Sequence, residues 1–408
     1  MKTQKKDKII NDPVYGFISL ENSLILKLID HPYFQRLRKI SQLGLSHLVY
    51  PAATHSRFSH ALGCLHLMEK IIYQLKSKGH IISKIESQSL KIAILLHDIG
   101  HGPFSHALEN SIAKEISHED LSLCYMKYLN KEFNGELEIA IDIFQNKYKK
   151  KYLHQLVSSQ LDMDRLDYLK RDSFFSGVIE GNIGTDRIIN MMNISNDLLV
   201  VEEKGIYSIE KFLIARRIMY WQVYLHKTVV AAENMLIKIL KRVKYLIMNG
   251  SNIYVTRSLE IFLKKDFTIE QFNQNSNLLK HFSQLDDYEL YTCLKYWELC
   301  DDFVLSNLSK RLNNRNLLKV KISNNYIKDA TKNKLIKLFC KKNNCSKEEA
   351  VYFIFSDKLT NDLYSNKSKI NILLKNGEIK DFAIASDQFN STILNKTINK
   401  YFLCYSEE

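Results

Sequence analysis

The sequence is poor in the residues that interrupt regular structure. It holds only 4 Pro and 13 Gly in 408 residues, and Pro13, Pro32, Pro51 and Pro103 all fall within the first 103 positions. Most of the chain therefore has few places to break an element, and the four prolines mark helix starts or turns between helices. Cysteine is sparse as well. Cys64, Cys124, Cys293, Cys300, Cys340, Cys345 and Cys404 form no CxxC pair and no regular framework, which argues against a disulfide scaffold and fits a reducing cytoplasm. No apolar run is long enough to span a bilayer, and the opening MKTQKKDKIINDP lacks the apolar stretch of a signal peptide. A soluble cytoplasmic protein with no membrane partner is expected. Acidic residues are outnumbered, 45 against 58 Lys+Arg, for a net charge of +13. That excess favours polyanionic partners such as nucleotides, nucleic acid or an anionic surface. Abundant Ile, Lys and Asn also fit a biased codon usage, so a merely solvated lysine face is an equal reading.

What is present is apolar periodicity. The chain is 45% hydrophobic, enough to bury a large core in two or three structural units. Apolar residues recur at i, i+3, i+4 and i+7 over Leu24–Leu43, His60–Lys76, Ile82–Leu96, Leu153–Arg171 and Ile209–Met248, the last too long for one straight helix. The predicted class is mostly α. From about Ser251 polar connectors separate shorter elements, and Ile370–Leu374 and Asp381–Ile384 read as strands joined through Asn376-Gly377. The expected units are a catalytic core over 1–250, a helical extension over 251–325, and a small α+β region over 326–408 that serves as an oligomer contact.

The chemistry concentrates in Ala93–His106, AILLHDIGHGPFSH, where an apolar run delivers His97 and Asp98 to a glycine-rich turn. Imidazole and carboxylate together suit a first-row divalent ion. A lone His-Asp pair is common by chance, but three features join it. His60 opens an amphipathic helix in HSRFSHALG. Asp164, Asp167, Tyr168, Arg171 and Asp172 of LDMDRLDYLKRD share neighbouring positions at i+3 and i+4 steps, a stripe that is otherwise often a solvated face. His101, His106, His118 and Glu119 follow close behind His97, although any one of them alone is more often a satisfied core residue.

These motifs, in order with NDPVYGFISL, DHPYFQRLRKISQLG, YPAATHSRFSHALG, ISHED, RRIMYWQVYLHK, DDYELYTCLKYW and NNRNLLK, resemble the HD-domain deoxynucleoside triphosphate triphosphohydrolases over about Asn11 to Lys319. The similar branch is that of the mammalian sterile-alpha-motif and HD-domain enzyme and its bacterial relatives. The resemblance implies an HD-domain helical core, its HD part at about 50–175. It also implies a divalent metal (Mn, Fe, Mg, Ni or Zn) held by His60, His97, Asp98 and Asp164. His101 and His106 then face the α-phosphate, and His118 is the proton donor, oriented by Glu119 and Glu109. Glu109 stands where the mammalian enzyme has Asp. Arg57, Arg165, Arg216, Tyr168 and Tyr224 match positions holding triphosphate and sugar, with Arg165 in place of Lys, a planar fork instead of a point charge. Gln42, Leu43 and Asp172 match those closing around the 3′-hydroxyl. Asp30, Gln35, Arg38 and Arg315, near Lys8 and Asn11, match an activating guanine-nucleotide site, and His226 and Lys227 an adjoining deoxynucleotide site. Both sites lie between subunits, which implies a homotetramer or dimer of dimers activated by GTP and dNTP.

Two other readings compete. HD proteins also include phosphodiesterases and nucleotidases, and function lives in the pocket rather than the fold. The positive charge and aromatics, with KYKKKY at Lys147–Tyr152, also allow a non-catalytic or weak nucleic-acid binder.

Overall fold

Lys8–Asp12 (β1) and Gly16–Leu20 (β2) pair as an antiparallel hairpin that leads into helix α1 (Ser23–Asp30). The structure is a computed structural model describing residues 8–20, 23–105, 115–361, 369–389 and 398–407. The helix expected over Leu24–Leu43 is broken after Asp30. Pro32 cannot donate a backbone N–H and disfavours helical backbone in the residue before it, so a short helix restarts at Pro32–Gln35 and tightens to a 3-10 turn at Arg36–Lys39. His31 caps the restart, its Nδ1 accepting from Tyr33 N at 3.1 Å.

Two long helices carry the core. α2 (Arg57–Ser77) packs against α3 (Lys84–Leu96), which starts at a reciprocal cap between Ser83 and Glu86. Helix α4 (His118–Glu132) opens on a similar cap, Ser117 with Asp120. The helix read over Leu153–Arg171 is two: α5 (Lys151–Val157) and α6 (Met163–Ser176). Asp162 separates them, accepting from Ser159 N and Arg165 N, both at 2.7 Å, a local bond that competes with helix continuation. α6 packs on α2.

The long apolar stretch to Met248 divides as its length required. α7 (Ile206–Met219) runs into a π turn at Tyr220–Tyr224, and α8 (Lys227–Met248) restarts behind the His226 cap. Such π turns concentrate at functional sites. Helices α9 (Asp287–Trp297) and α10 (Phe303–Asn313) then pack together, and α10 lies on α8.

The C-terminal strands form two sheets. β5 (Lys319–Ser323) and β6 (Phe355–Asn361) flank the last strand, β9 (Ile398–Tyr405). β7 (Asn371–Leu373) and β8 (Ile379–Asp381) extend the sheet of β3 (Met192–Ser195) and β4 (Leu198–Glu202), with β7 parallel to β4. The second tail strand therefore ends at Asp381, earlier than read: its carboxyl accepts from Ala383 N and caps a helical turn over Phe382–Ala385. The architecture is mostly α with small sheets in the C-terminal part. Among the described residues no helix is long and apolar enough to cross a membrane.

Candidate metal and nucleotide site

Packing of α6 on α2 brings Asp164 to His60, and the end of α3 brings His97 and Asp98 to both. His60 Nε2 lies 3.1 Å from Asp164 Oδ1 and 3.5 Å from Asp98 Oδ2. His97 Nε2 lies 3.4 Å from Asp98 Oδ1 and 3.6 Å from Asp164 Oδ1. Neighbouring donors around one ion with bonds of roughly 2.1 Å stand about 3 Å apart, so these four side chains fit a shared divalent cation.

The far side of each ring fixes which nitrogen is offered. His97 Nδ1 faces the Ile94 carbonyl at 2.6 Å, leaving Nε2 buried without a hydrogen-bond partner. His60 Nδ1 faces Asp167 Oδ2 at 2.7 Å. Each contact turns an Nε2 lone pair into the cluster, as outer carboxylates and carbonyls do for metal-binding histidines. Burial favours the neutral form of Asp98, but His97, Arg57 and His101 outweigh it and hold the carboxyl well below the usual range. Asp164 is lowered by His60 and His97 against the same burial. Cys64 also reaches this cluster, but burial pushes its thiol up, which disfavours the thiolate a metal takes.

Two glycines permit the assembly by close approach. A Cβ on Gly63 would land on Asp167 Oδ1 and Arg171 Nη2, and one on Gly100 would land on His118 O and Ser122 N. Gly100 thus seats the turn after His97 on the first turn of α4, where the His101 and His118 rings stack at 4.0 Å. His118 Nε2 is 3.7 Å from Glu119, whose side chain is otherwise exposed. Beyond the turn, Phe104 and Ser105 both have φ of 53°, a strained value for a phenylalanine. Asp287 of α9 holds them there, accepting from Phe104 N at 2.6 Å and from Ser41 N at 2.8 Å.

Beside the donors opens a cavity of 440 Å³. Asp98, Asp164, His101, His118, Arg57 and Arg165 line it together with Gln42, Leu43, Tyr168, Asp172 and Tyr224. Arg57 Nε donates to Ser105 Oγ at 2.9 Å and its Nη1 pairs with Asp98. Asp172 is clamped between His55 Nε2 and the Tyr224 hydroxyl, both at 2.8 Å. Arg216 is not among the lining residues; it donates to Gln160 at 2.9 Å behind the wall. His106 and Glu109 lie outside the described residues.

Four positioning residues escaped the sequence reading of roles. Asp167, His55 and Asp287 act as just described. Arg36, buried, donates to the Ile99 and His101 carbonyls, both at 2.7 Å, and braces the HD turn from beneath. Asp167 had a visible signal, its i+4 spacing to Arg171. The other three bind across 60 or more positions, which no local pattern reveals.

The residues matched to activator sites are more dispersed. Gln35 and Arg38 line a second cavity of 810 Å³ with Lys39, Lys280 and Asp286. Asp30 pairs with Lys8, and Arg315 donates to the Leu48 carbonyl. Neither lines that cavity, and His226 serves as the cap of α8, next to Lys227.

Residues 57–172 match the HD domain and residues 183–254 the HD associated region. An uncharacterized Bacillus subtilis protein is 31% identical over 93% of this chain and 87% of its own length. The crystal structure of a phosphohydrolase from Bacteroides thetaiotaomicron superposes with a TM-score of 0.95, at 49% identity over 98% of this chain and 100% of that one. The chain belongs to the HD-domain phosphohydrolases. A Dictyostelium discoideum relative, named a deoxynucleoside triphosphate triphosphohydrolase SAMHD1 homolog, is 31% identical over 57% of this chain and 49% of that protein. In this phosphohydrolase His97 groups with His60, Cys64 and Asp164 as possible metal donors, and Asp98, 3.4 Å from His97 Nε2, groups with His101 and His118.

Proposed function

We propose that this HD-domain phosphohydrolase cleaves deoxynucleoside triphosphates to a deoxynucleoside and inorganic triphosphate. The observation that carries the reading is one cavity with two characters. One set of its residues, His101, His118, Arg57 and Arg165 beside the four donors, suits a metal-bound polyphosphate. The other, Gln42, Leu43, Tyr168, Tyr224 and the clamped Asp172, suits a sugar.

His60, His97, Asp98 and Asp164 would hold the divalent ion. Such an ion supplies Lewis acidity and a water of lowered pKa. Arg57 and Arg165 bind and neutralise the phosphates, Arg165 being steered by its Nε bond of 2.7 Å to the Ser159 carbonyl. Neutral His101, its pKa driven down by burial and by Arg57, can sit against the α-phosphate without adding a charge. Water adds to the α-phosphorus and the bond to the 5′-oxygen breaks, so that oxygen needs a proton. His118 stands ready to give it, with Glu119 beside it. Asp172 accepts from the 3′-hydroxyl, and Tyr168 closes the space a 2′-hydroxyl would need.

Gln35, Arg38 and Lys39 in the second cavity support an activating nucleotide there; by family resemblance that site would lie between subunits of a homotetramer, in the cytoplasm. The test is incubation of metal-stripped protein with each dNTP, GTP and mixtures, with and without Mn²⁺ or Mg²⁺, resolving products by ion exchange. Deoxynucleoside plus intact triphosphate supports the reading, and dependence on a second nucleotide supports activation. Monophosphate products would move the assignment to another phosphodiesterase or nucleotidase. No turnover in any mixture would favour a nucleic-acid-binding role.

A further inference from the structure

The C-terminal sheet reaches the wall of the substrate cavity through one side chain. Lys400, on β9, sets its Nζ 3.9 Å from the ring centre of Trp221, the second residue of the π turn at Tyr220–Tyr224. Among the described residues no carboxylate pairs with that ammonium, so the indole face is what it meets. Indole is the ring that holds a cation best, and both side chains are half-buried, which strengthens the contact over an exposed one.

The turn it touches forms part of the cavity. Tyr220, Tyr224 and Leu225 line it, and the Tyr224 hydroxyl donates to Asp172 at 2.8 Å. A π turn is a rare conformation, so it persists where contacts from elsewhere in the fold hold it. Three such ties meet here. Tyr50 donates to the Gln222 carbonyl, Tyr224 donates to Asp172, and Lys400 covers Trp221. The first two come from the half of the chain that carries the HD turn, and the third comes from its last strand.

That strand belongs to a sheet seated on the helix that follows the turn. Lys238 of α8 lies 4.6 Å from the ring centre of Phe355 in β6, and Leu318 N, just ahead of β5, faces Met235 Sδ of α8 at 3.3 Å. The sheet therefore rests on α8 and touches the turn ahead of it, spanning the junction of α7 and α8. Trp221 and Lys400 are not among the residues lining the cavity, so whatever they do for a substrate passes through Tyr220 and Tyr224.

We propose that Lys400 is a positioning residue: by holding Trp221 it keeps the π turn in the conformation that aims Tyr224 at Asp172, and so sets how tightly the sugar of the substrate is bound. This rests on the dNTP reading above. A sugar contact is made in ground state and transition state alike, so loosening it raises KM and leaves kcat. The test is steady-state kinetics with Mn²⁺ and a fixed GTP concentration, on the dNTP turned over fastest in the incubations above, for wild type and three variants. Lys400→Glu sets a carboxylate against the negative face of the indole, Trp221→Leu removes the ring, and Lys400→Arg keeps a cation over it. A half-buried cation–π contact predicts a KM about fivefold higher in the first two, with kcat within about twofold of wild type, and a KM close to wild type in Lys400→Arg. Partial unfolding lowers apparent kcat and leaves KM alone, so the split separates positioning from stability. A wild-type KM in Lys400→Glu and Trp221→Leu, a fall in kcat without a rise in KM, or a KM in Lys400→Arg raised as far as in Lys400→Glu overturns the role of Lys400 while the dNTP reading stands. A wild type that turns over no dNTP overturns both.

Discussion

Replacing Asp167 by Asn separates what the buried charge network does for the fold from what it does for the metal. Asp167 is fully buried and accepts three hydrogen bonds: from His60 Nδ1 at 2.7 Å, and from Arg171 Nε at 2.9 Å and Nη2 at 3.0 Å. An amide has one acceptor oxygen and an NH₂ group. With its oxygen in the place of Oδ2 it keeps His60 and Arg171 Nε but sets its NH₂ against Arg171 Nη2; with its oxygen in the place of Oδ1 it keeps only Nη2 and sets the NH₂ against both His60 Nδ1 and Arg171 Nε. Removing one partner of a buried pair costs about 3–5 kcal/mol. Arg171 keeps Asp12 at 2.7 Å, which places the loss near the lower end, about 3 kcal/mol. Loss of an outer carboxylate on a metal-binding histidine costs about 10- to 100-fold in metal affinity. Urea unfolding gives the first number and Mn²⁺ titration calorimetry the second. A variant that loses stability yet binds Mn²⁺ as tightly as wild type would refute the claim that Asp167 orients His60.

Three further outcomes follow from the same geometry. His97→Ala should abolish turnover while the protein still folds, the ring's one hydrogen bond within 3 Å among the described residues being that of Nδ1 to the Ile94 carbonyl; measurable activity would remove His97 from the metal set. Gly63→Ala should destabilise by about 3 kcal/mol or prevent folding, since its methyl lands on Asp167 and Arg171, and a near-native urea midpoint would show that α2 and α6 can separate. Burial raises Asp287 from 3.8 to about 6, so the fold favours its protonated form. That contribution is fully present below about pH 4 and is lost as pH rises through 6, whereas Asp287→Asn does not titrate. Wild type should therefore lose up to about 3 kcal/mol relative to the variant between pH 4 and 7, at about 1.4 kcal/mol for each pKa unit. A constant difference across that range would contradict it.

Helical class and the position of the HD turn were legible because each leaves a local trace. Apolar periodicity marks α2 and α3, and the paired His97-Asp98 at the end of an apolar run marks the turn. Boundaries were legible only roughly. Periodicity put the start of α3 at Ile82, two residues before Lys84, whereas Asp162 turned one apparent helix into two, because its backbone bonds compete with a periodicity that continues on both sides. The supports behind the site were not legible. Arg36 meets the His101 carbonyl across 65 positions, and Asp287 reaches Phe104 across 183, so nothing near either residue in the chain signals the contact. Arg216, matched by family resemblance, does not line the cavity itself; it donates to Gln160 and lies over the ring of Tyr220, which does.

The parallel pairing of β7 with β4 bears on how the protein is made. Asn371 Nδ2 donates to the Leu199 carbonyl across 172 positions of chain. On a ribosome, β4 emerges long before the strand that flanks it, and its open edge has to wait unpaired while the intervening helices are synthesised. Contacts of such sequence separation form late and slowly. The helical half that carries the HD turn can therefore acquire its shape early, while the sheet that fastens the tail to it closes as the last act of maturation.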